Sequence, residues 1–549
     1  MDVVHWFSNR TMRHFFLVVF YFCSSFFADA QQITLVTDTE TAGMGHLVHA
    51  LQGGNHLFLV TRAPANAYSL WISDGDSSNT ALLHTFDGIV GGLVWYNDKL
   101  HFAASEAQTG FELWSSDGTV SGTTLVRDIN PGPGDGIQLS GLSHFRFAIL
   151  NSHLYFAGTD GSEGFNLWSS DGSSSGTLQV LDITPGVQIL QSGIYTSVVT
   201  SGNKLFFGGS EGSMTAWLYS SDGTPSGTTR LESALPGAYS DLIPFDGKIV
   251  FGGALRSATD TIIGIVVSDG SENGTNLLLP GYERLVNDFA VLNNKLYFLG
   301  QAFPMHGLLT LVVTDGLPAN TMILDDSLKG FLTSYSPKLC FLTCLGNKVY
   351  YLSDKGPGHQ KLFMTDGTVA GTLPLIQTGP PLMPLHLMVH QNRLYFKASD
   401  SSRMDLWTSD GTPGGTQSLS LPNAIPDPIS QFIKFTKQRT GITPFGNSLV
   451  FVLSYYAVSP VKVYRYSAAS TVVSSPGNSR NILFYPNPAG EFIGTDDQTI
   501  TSIRLFDQLG RLILQQGGSG MSLRDLSPGF YLVEATNKWG TSRQTILKK

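Results

Sequence analysis

The sequence predicts an all-β protein: a β-propeller closed by an N-terminal strand, followed by a small Ig-like β-sandwich. Three observations carry that prediction. A short motif recurs eight times at the spacing of a propeller blade. The stretches between its copies are short β-forming runs bounded by turn formers. The composition, with 60 Gly and only 14% charged residues, suits short strands and tight turns rather than Glu-, Lys- and Ala-rich helices. Disorder is excluded by the 42% hydrophobic content. The net charge of −9 comes with no basic stripe, which argues against nucleic acid as a partner.

The motif reads SDGDSSNT at Asp74, SDGTVSGT at Asp117, SDGSSSGT at Asp171 and SDGTPSGT at Asp222. It continues as SDGSENGT at Asp269, TDGLPANT at Asp315, TDGTVAGT at Asp366 and SDGTPGGT at Asp410. Successive aspartates lie 43, 54, 51, 47, 46, 51 and 44 residues apart, the period of propeller blades. A segment such as NDKLHFAAS, NSHLYFAGT or QNRLYFKAS precedes each copy. A run such as TLVRDI follows it, and a further run such as FAVL lies upstream. Four strands per unit, repeated radially, make a propeller.

The termini predict how the ring closes. Residues 432–466 hold three strand-like runs with no motif and no fourth strand, and ITLVTD at 33–38 looks like an orphan fourth strand. Pairing the two completes one more blade and removes the exposed edges. The count is then nine blades, or eight if the terminal runs do not combine.

Asp-Gly after a strand is a hairpin signal, because the carboxylate accepts turn N–H groups and Gly takes positive φ. The eight aspartates therefore read as structural turn residues. One carboxylate per loop is a thin ligand set for calcium, so no metal and no cofactor is expected. The residue three before each Asp (Trp71, Trp114, Trp168, Tyr219, Phe363, Trp407, but Val266 and Val312) reads as packing rather than a sugar-stacking array. With ELWSSDGT at Glu112–Thr119 as the best copy, residues 31–466 resemble bacterial ELWxxDGT-repeat proteins, a likeness that implies no defined activity. The turns are also similar to the Asp-box hairpins of sialidase-like propellers, at a different spacing.

At the N-terminus, Arg10 and Arg13 precede the apolar run Phe15–Phe27, and Ala28-Asp29-Ala30 offers a small-x-small cleavage site before Gln31. Residues 1–30 thus read as a signal peptide cut between Ala30 and Gln31. The apolar run is shorter than a spanning helix needs, and no transmembrane segment is expected in the mature chain. Cys340 and Cys344, four residues apart along a strand, are too far apart for a disulfide and read as small buried side chains.

Residues 467–480 are Ser-, Pro- and Gly-rich and read as a linker. Beyond them, 481–549 alternate apolar and polar residues in six or seven short strands, as in a small sandwich. The landmarks are Tyr485-Pro486-Asn487-Pro488, Asp507 to Gly510-Arg511, Gly529-Phe530-Tyr531, and a basic end at Lys548-Lys549. They resemble the C-terminal sorting domain of the type IX secretion system, the Por secretion tail. That resemblance implies type IX machinery as a partner, passage across the outer membrane and a surface or extracellular destination. Removal of the tail often follows in that family.

Catalytic motifs are scarce. Gly208–Gly212 fits GxSxG, but as a turn between strands rather than a strand–turn–helix elbow. No HExxH, zinc cluster or phosphate loop occurs. If the SDGT turns join the two outer strands, the opposite face is made by variable loops offering Glu106, Asp160, Glu163, Arg256, Asp260, His306, His359 and Arg403. The expected function is binding or adhesion through that face, with a polysaccharide or a surface protein as ligand. The alternative is a secreted carbohydrate-active hydrolase or lyase, which would need carboxylates from different blades to converge.

Overall fold

The computed structural model describes residues 32–38, 44–63, 67–137, 147–162, 164–181, 188–189, 198–210, 217–236, 242–257, 259–302, 309–328, 342–353, 361–375, 383–399, 403–420, 425–426, 442–453, 462–467, 492–494, 500–506, 512–518, 520–524, 526–527, 529–537 and 540–548. The chain divides into two compact units, Gln31–Ala468 and one that includes Ala469–Lys549. Among the described residues no helix is long and apolar enough to cross a membrane.

In Gln31–Ala468 the described residues form nine antiparallel sheets in chain order, three of them with a short fifth strand. The first is His46–Gly53, His56–Arg62, Tyr68–Ser73 and Ala81–Phe86, a simple meander. The second, Val90–Tyr96, Lys99–Glu106, Gly110–Ser116 and Thr124–Arg127, repeats it. Six more follow. The ninth takes Ile442–Phe445, Ser448–Leu453 and Lys462–Ser467 from the end of the unit and its fourth strand, Gln32–Asp38, from the beginning. Each SDGT motif joins the third and fourth strands of its sheet, as in Tyr68–Ser73 to Ala81–Phe86.

The succession closes on itself. First strands touch between sheets one and two, three and four, four and five, six and seven, seven and eight, eight and nine, and nine and one. The second and third sheets are joined by Tyr96, whose hydroxyl donates to the Ser152 carbonyl at 2.5 Å. Strands of the fifth and sixth also touch. One apolar cluster fills each joint, so nine clusters serve nine joints among the described residues. The joint of the ninth sheet with the first packs Val36, Leu57, Leu59, Phe445, Val450 and Val463. This is a β-propeller closed by the N-terminal strand, and closure removes the edges on which other chains would add.

Register explains why the motif and its flanks recur together. The position three before the motif Asp faces a large second-strand residue every time: Leu59–Trp71, Phe102–Trp114, Phe156–Trp168, Phe207–Tyr219, Phe251–Val266, Phe298–Val312, Tyr351–Phe363 and Phe396–Trp407. Trp71 and Trp407 are half-buried and the others are buried, so this column packs and offers no aromatic platform. Burying one such ring contributes about 1.5–3 kcal/mol.

Cys340 lies outside the described residues. Cys344 is half-buried rather than buried, packed against the apolar cluster that joins the sixth and seventh sheets. Its thiol donates to the Val291 carbonyl at 3.3 Å.

In the C-terminal unit a four-stranded sheet runs in the order Leu512–Gln516, Ile500–Phe506, Gly529–Asn537, Gly540–Lys548. Phe492–Gly494 pairs with Gly520–Ser522 in a second, two-stranded sheet. Ile493, Ile503, Leu505, Met521, Leu523 and Val533 fill the core between them. This is the small sandwich expected from the alternating pattern.

Candidate functional site

The SDGT turns share one hydrogen-bond circuit. At Asp117, Oδ1 accepts the Thr119 N–H at 2.9 Å and its hydroxyl at 2.7 Å. Thr119 Oγ1 in turn accepts the Gly122 N–H at 2.9 Å. Ser116 and Thr123 hydroxyls lie 2.7 Å apart and close the base of the loop. That last pair recurs in all eight turns, at 2.7 to 2.9 Å. Donation from neighbouring side chains and amides holds the carboxyls of Asp74, Asp117, Asp171, Asp222, Asp269, Asp315, Asp366 and Asp410 below the usual carboxylate range.

Two turns use another donor. After Asp74 and Asp315 the second residue is Asp76 or Leu317, which brings no hydroxyl, and the fifth is Asn instead of Gly. Asn79 and Asn320 donate to the carboxylates at 2.7 and 2.6 Å, and a single 3-10 turn forms beside each. In the hydroxyl version a Cβ at Gly122 would stand 2.0 Å from Asp117 Oδ1. Gly122→Asn alone is therefore expected to cost about 1–3 kcal/mol by overpacking. Adding Thr119→Leu should return much of that loss, and a double-mutant cycle on melting temperature measures the coupling.

The turns also make the joints. A Cβ at the Gly of seven of the eight Asp-Gly pairs would run into the preceding sheet, as at Tyr155 Oη at 2.4 Å for Gly223, Tyr297 Oη at 2.5 Å for Gly367, Tyr350 Oη at 2.4 Å for Gly411 and His101 Nε2 at 2.8 Å for Gly172. These contacting residues hold one register position, opposite the residue two before the motif Asp. In the fifth and ninth sheets that position is Val250 or Val450. There Phe245 or Phe445, at the end of the first strand, reaches Gly316 or Gly75 of the next sheet. Arg465 joins Phe445 on Gly75, so the closing joint is built like the others.

His101 is the exception in this column. It is buried, edge-on to Tyr96 at 5.4 Å, and burial lowers its pKa to about 4. A histidine held neutral in the fold loses stability as pH falls from its unfolded value, about 6.5, toward about 4, because the unfolded chain then binds the proton first. His101→Tyr is expected to flatten the fall in melting temperature over that window. An unchanged pH profile would contradict this.

At the ends of the sheets opposite the turns, residues of the predicted loop set fall in different places. Glu106 joins His84 Nε2 at 2.9 Å, and burial, with the nearby Asp87 charge adding to it, pushes its carboxyl up. The Asp87 carboxylate accepts the Ala107 N–H at 2.9 Å and is held low. Arg256 is exposed and stands 5.6 Å over the Trp217 ring, which Arg230 also covers at 5.1 Å. Asp160 accepts from Ser162, and Asp260 accepts the Thr261 N–H. Arg403 begins a strand of the eighth sheet. Glu163, His306 and His359 lie outside the described residues. Among the described residues no group of three or more His, Cys, Asp or Glu is arranged to hold a metal ion.

Sequence reasoning missed His84, Asp87, and the work done by Glu112. That carboxyl is buried, accepts the Ile129 and Asn130 N–H groups at 3.0 and 3.2 Å, and is pushed up to about 8 by burial. It pins the crossover to the third sheet. Asp405, at the same place before its motif, is also buried and accepts the Ser418 hydroxyl at 2.5 Å. The shared acid in ELWSSDGT and DLWTSDGT was the available signal.

Of the sorting landmarks, Gly529 and Lys548 pair across the last two strands, and the Tyr531 hydroxyl donates to the Ser527 carbonyl at 2.9 Å. Tyr485, Pro486, Asn487, Pro488, Gly510 and Lys549 lie outside the described residues, as do Ala30 and Gln31.

No curated protein matches the chain in sequence. Solved structures with a similar fold include a puromycin hydrolase, at 13% identity and TM-score 0.33, covering 64% of this chain and 58% of that one. BamB from Moraxella catarrhalis gives 12% identity and TM-score 0.38, over 79% of this chain and 100% of that one. The β-propeller domain of the Trilobed protease from Pyrococcus furiosus gives 14% and 0.32, over 69% and 99%. The chain thus spans little more than half the length of the puromycin hydrolase. Residues 483–549 match the secretion system C-terminal sorting domain, of the type IX kind, which marks this chain for export to the cell surface or the extracellular space.

Proposed function

We propose that the chain is an exported nine-bladed propeller of the binding or adhesion class. It engages a polysaccharide or another surface protein through the loops opposite its SDGT turns, which themselves are structural. One asymmetry carries this reading. At the motif end the turns satisfy their own carboxylates and seat the neighbouring sheet, so they are spent on the scaffold. At the other end the loops between second and third strands differ, from three residues in the second sheet (107–109) to eight in the ninth (454–461). Varied loops on a repeated rigid frame are how binding surfaces are built.

The Asp87–Glu106 pair argues against a glycosidase at that position. Glu106 is tied to His84 and Asp87 to the Ala107 N–H, so both carboxyls are engaged in holding the scaffold rather than set across a glycosidic bond. A glycan-array screen of the mature chain tests the binding reading. Selective binding that falls at least about tenfold (roughly 1.4 kcal/mol) when Arg256 is replaced by Ala, with melting unchanged, is the expected result. A folded protein that binds no glycan would sink the polysaccharide ligand and leave surface proteins to be screened.

A further inference from the structure

Among the described residues the sorting sandwich leaves one edge unpaired: its four-stranded sheet begins with Leu512–Gln516, and the covering sheet has two described strands, Phe492–Gly494 and Gly520–Ser522. Leu505 is fully buried, yet its cross-strand partner Leu514 is 37% exposed, because the covering sheet stops short of the edge. Leu512 and Ile513 beside it are 51% and 39% exposed. Soluble proteins blunt such edges with charge, proline or cover. This strand, LILQQ, has no charge and no proline, while the opposite edge, Gly540–Lys548, carries Arg543 and Lys548.

Resting on the match to a sorting domain, we infer that Leu512–Gln516 is where the export machinery docks, by adding an uncharged, apolar strand of its own to this edge. The outer N–H and C=O groups of the strand, which pair with no described strand, give such a partner its backbone ladder. Leu512 and Leu514 give it side-chain contact. The missing charge selects against the basic or acidic edges that abound on folded cargo.

The test uses the full chain in cells with an active type IX system, reading the exported fraction against the periplasmic fraction. Leu512→Lys with Leu514→Lys is expected to cut export at least about tenfold, while the melting temperature of the purified chain stays unchanged. Leu512→Gln with Leu514→Gln, which extends the polar end of the same strand, should cut it as well and serves if the lysine variant does not fold. Ser522→Lys, exposed on the other sheet, should export normally. Full export of the folded lysine and glutamine variants would overturn the inference. So would a concentration-dependent dimer that these changes dissolve with export intact, since the edge would then belong to a second copy. Deleting 483–549 is the separate arm: export of that variant would defeat the sorting reading itself, whatever the edge does.

Discussion

A chain lacking residues 31–38 is expected to open its ring and lose several kcal/mol. Gln32–Asp38 contributes the whole fourth strand of the ninth sheet, pairing from Gln32↔Ser467 to Asp38↔Lys462, and buries Val36 in the closing joint. A buried valine contributes about 1.5–3 kcal/mol and each net ladder hydrogen bond about 0.5–1.5, so a total of roughly 5–10 kcal/mol is at stake. The strand Lys462–Ser467 would become a free edge, and self-association should rise with concentration. Urea denaturation and size-exclusion chromatography read both effects. A peptide of sequence QITLVTD added in trans should restore part of the loss. A truncated chain as stable and monomeric as the intact one would show that the ring does not depend on this strand.

Gly223→Ala should be, with Gly411→Ala, among the most damaging single changes in the turns. The φ of Gly223 is +92°, and the added Cβ would lie 2.4 Å from Tyr155 Oη across the joint. Backbone strain and overpacking together predict a loss of about 2–4 kcal/mol. Tyr155→Phe should relieve the clash but not the strain, recovering roughly half. Gly316→Ala separates the two causes, because its φ is +88° while the nearest neighbour, Phe245, stands at 3.6 Å. There only the strain applies, about 1 kcal/mol. Equal losses at Gly223 and Gly316 would mean that the tyrosine contact does not define the joint.

Much of this fold was legible in the chain because each repeat restates the same local instructions. The Asp-Gly fixed the hairpin between third and fourth strands, and the KLxF-like segment fixed the register opposite it. The likeness of ITLVTD to TLVRDI revealed the closing strand. The compensation between Val250 and Phe245, and between Val450 and Phe445, was readable only once the joint was known, since it depends on which residues meet across two sheets. The same limit hid the His84–Glu106 contact, whose members are 22 residues apart and come from neighbouring sheets. Glu112 was visible as part of a motif, but its task lies in amides 17 and 18 residues away. The loops that carry function differ between repeats, so repetition, the strongest signal in this sequence, says least about them.

End-on class averages of the purified chain by electron microscopy test the central claim most directly. A closed ring with nine lobes is the predicted result, with Gln32–Asp38 completing the ninth. Eight lobes, or an arc open between its first and last sheets, would contradict it.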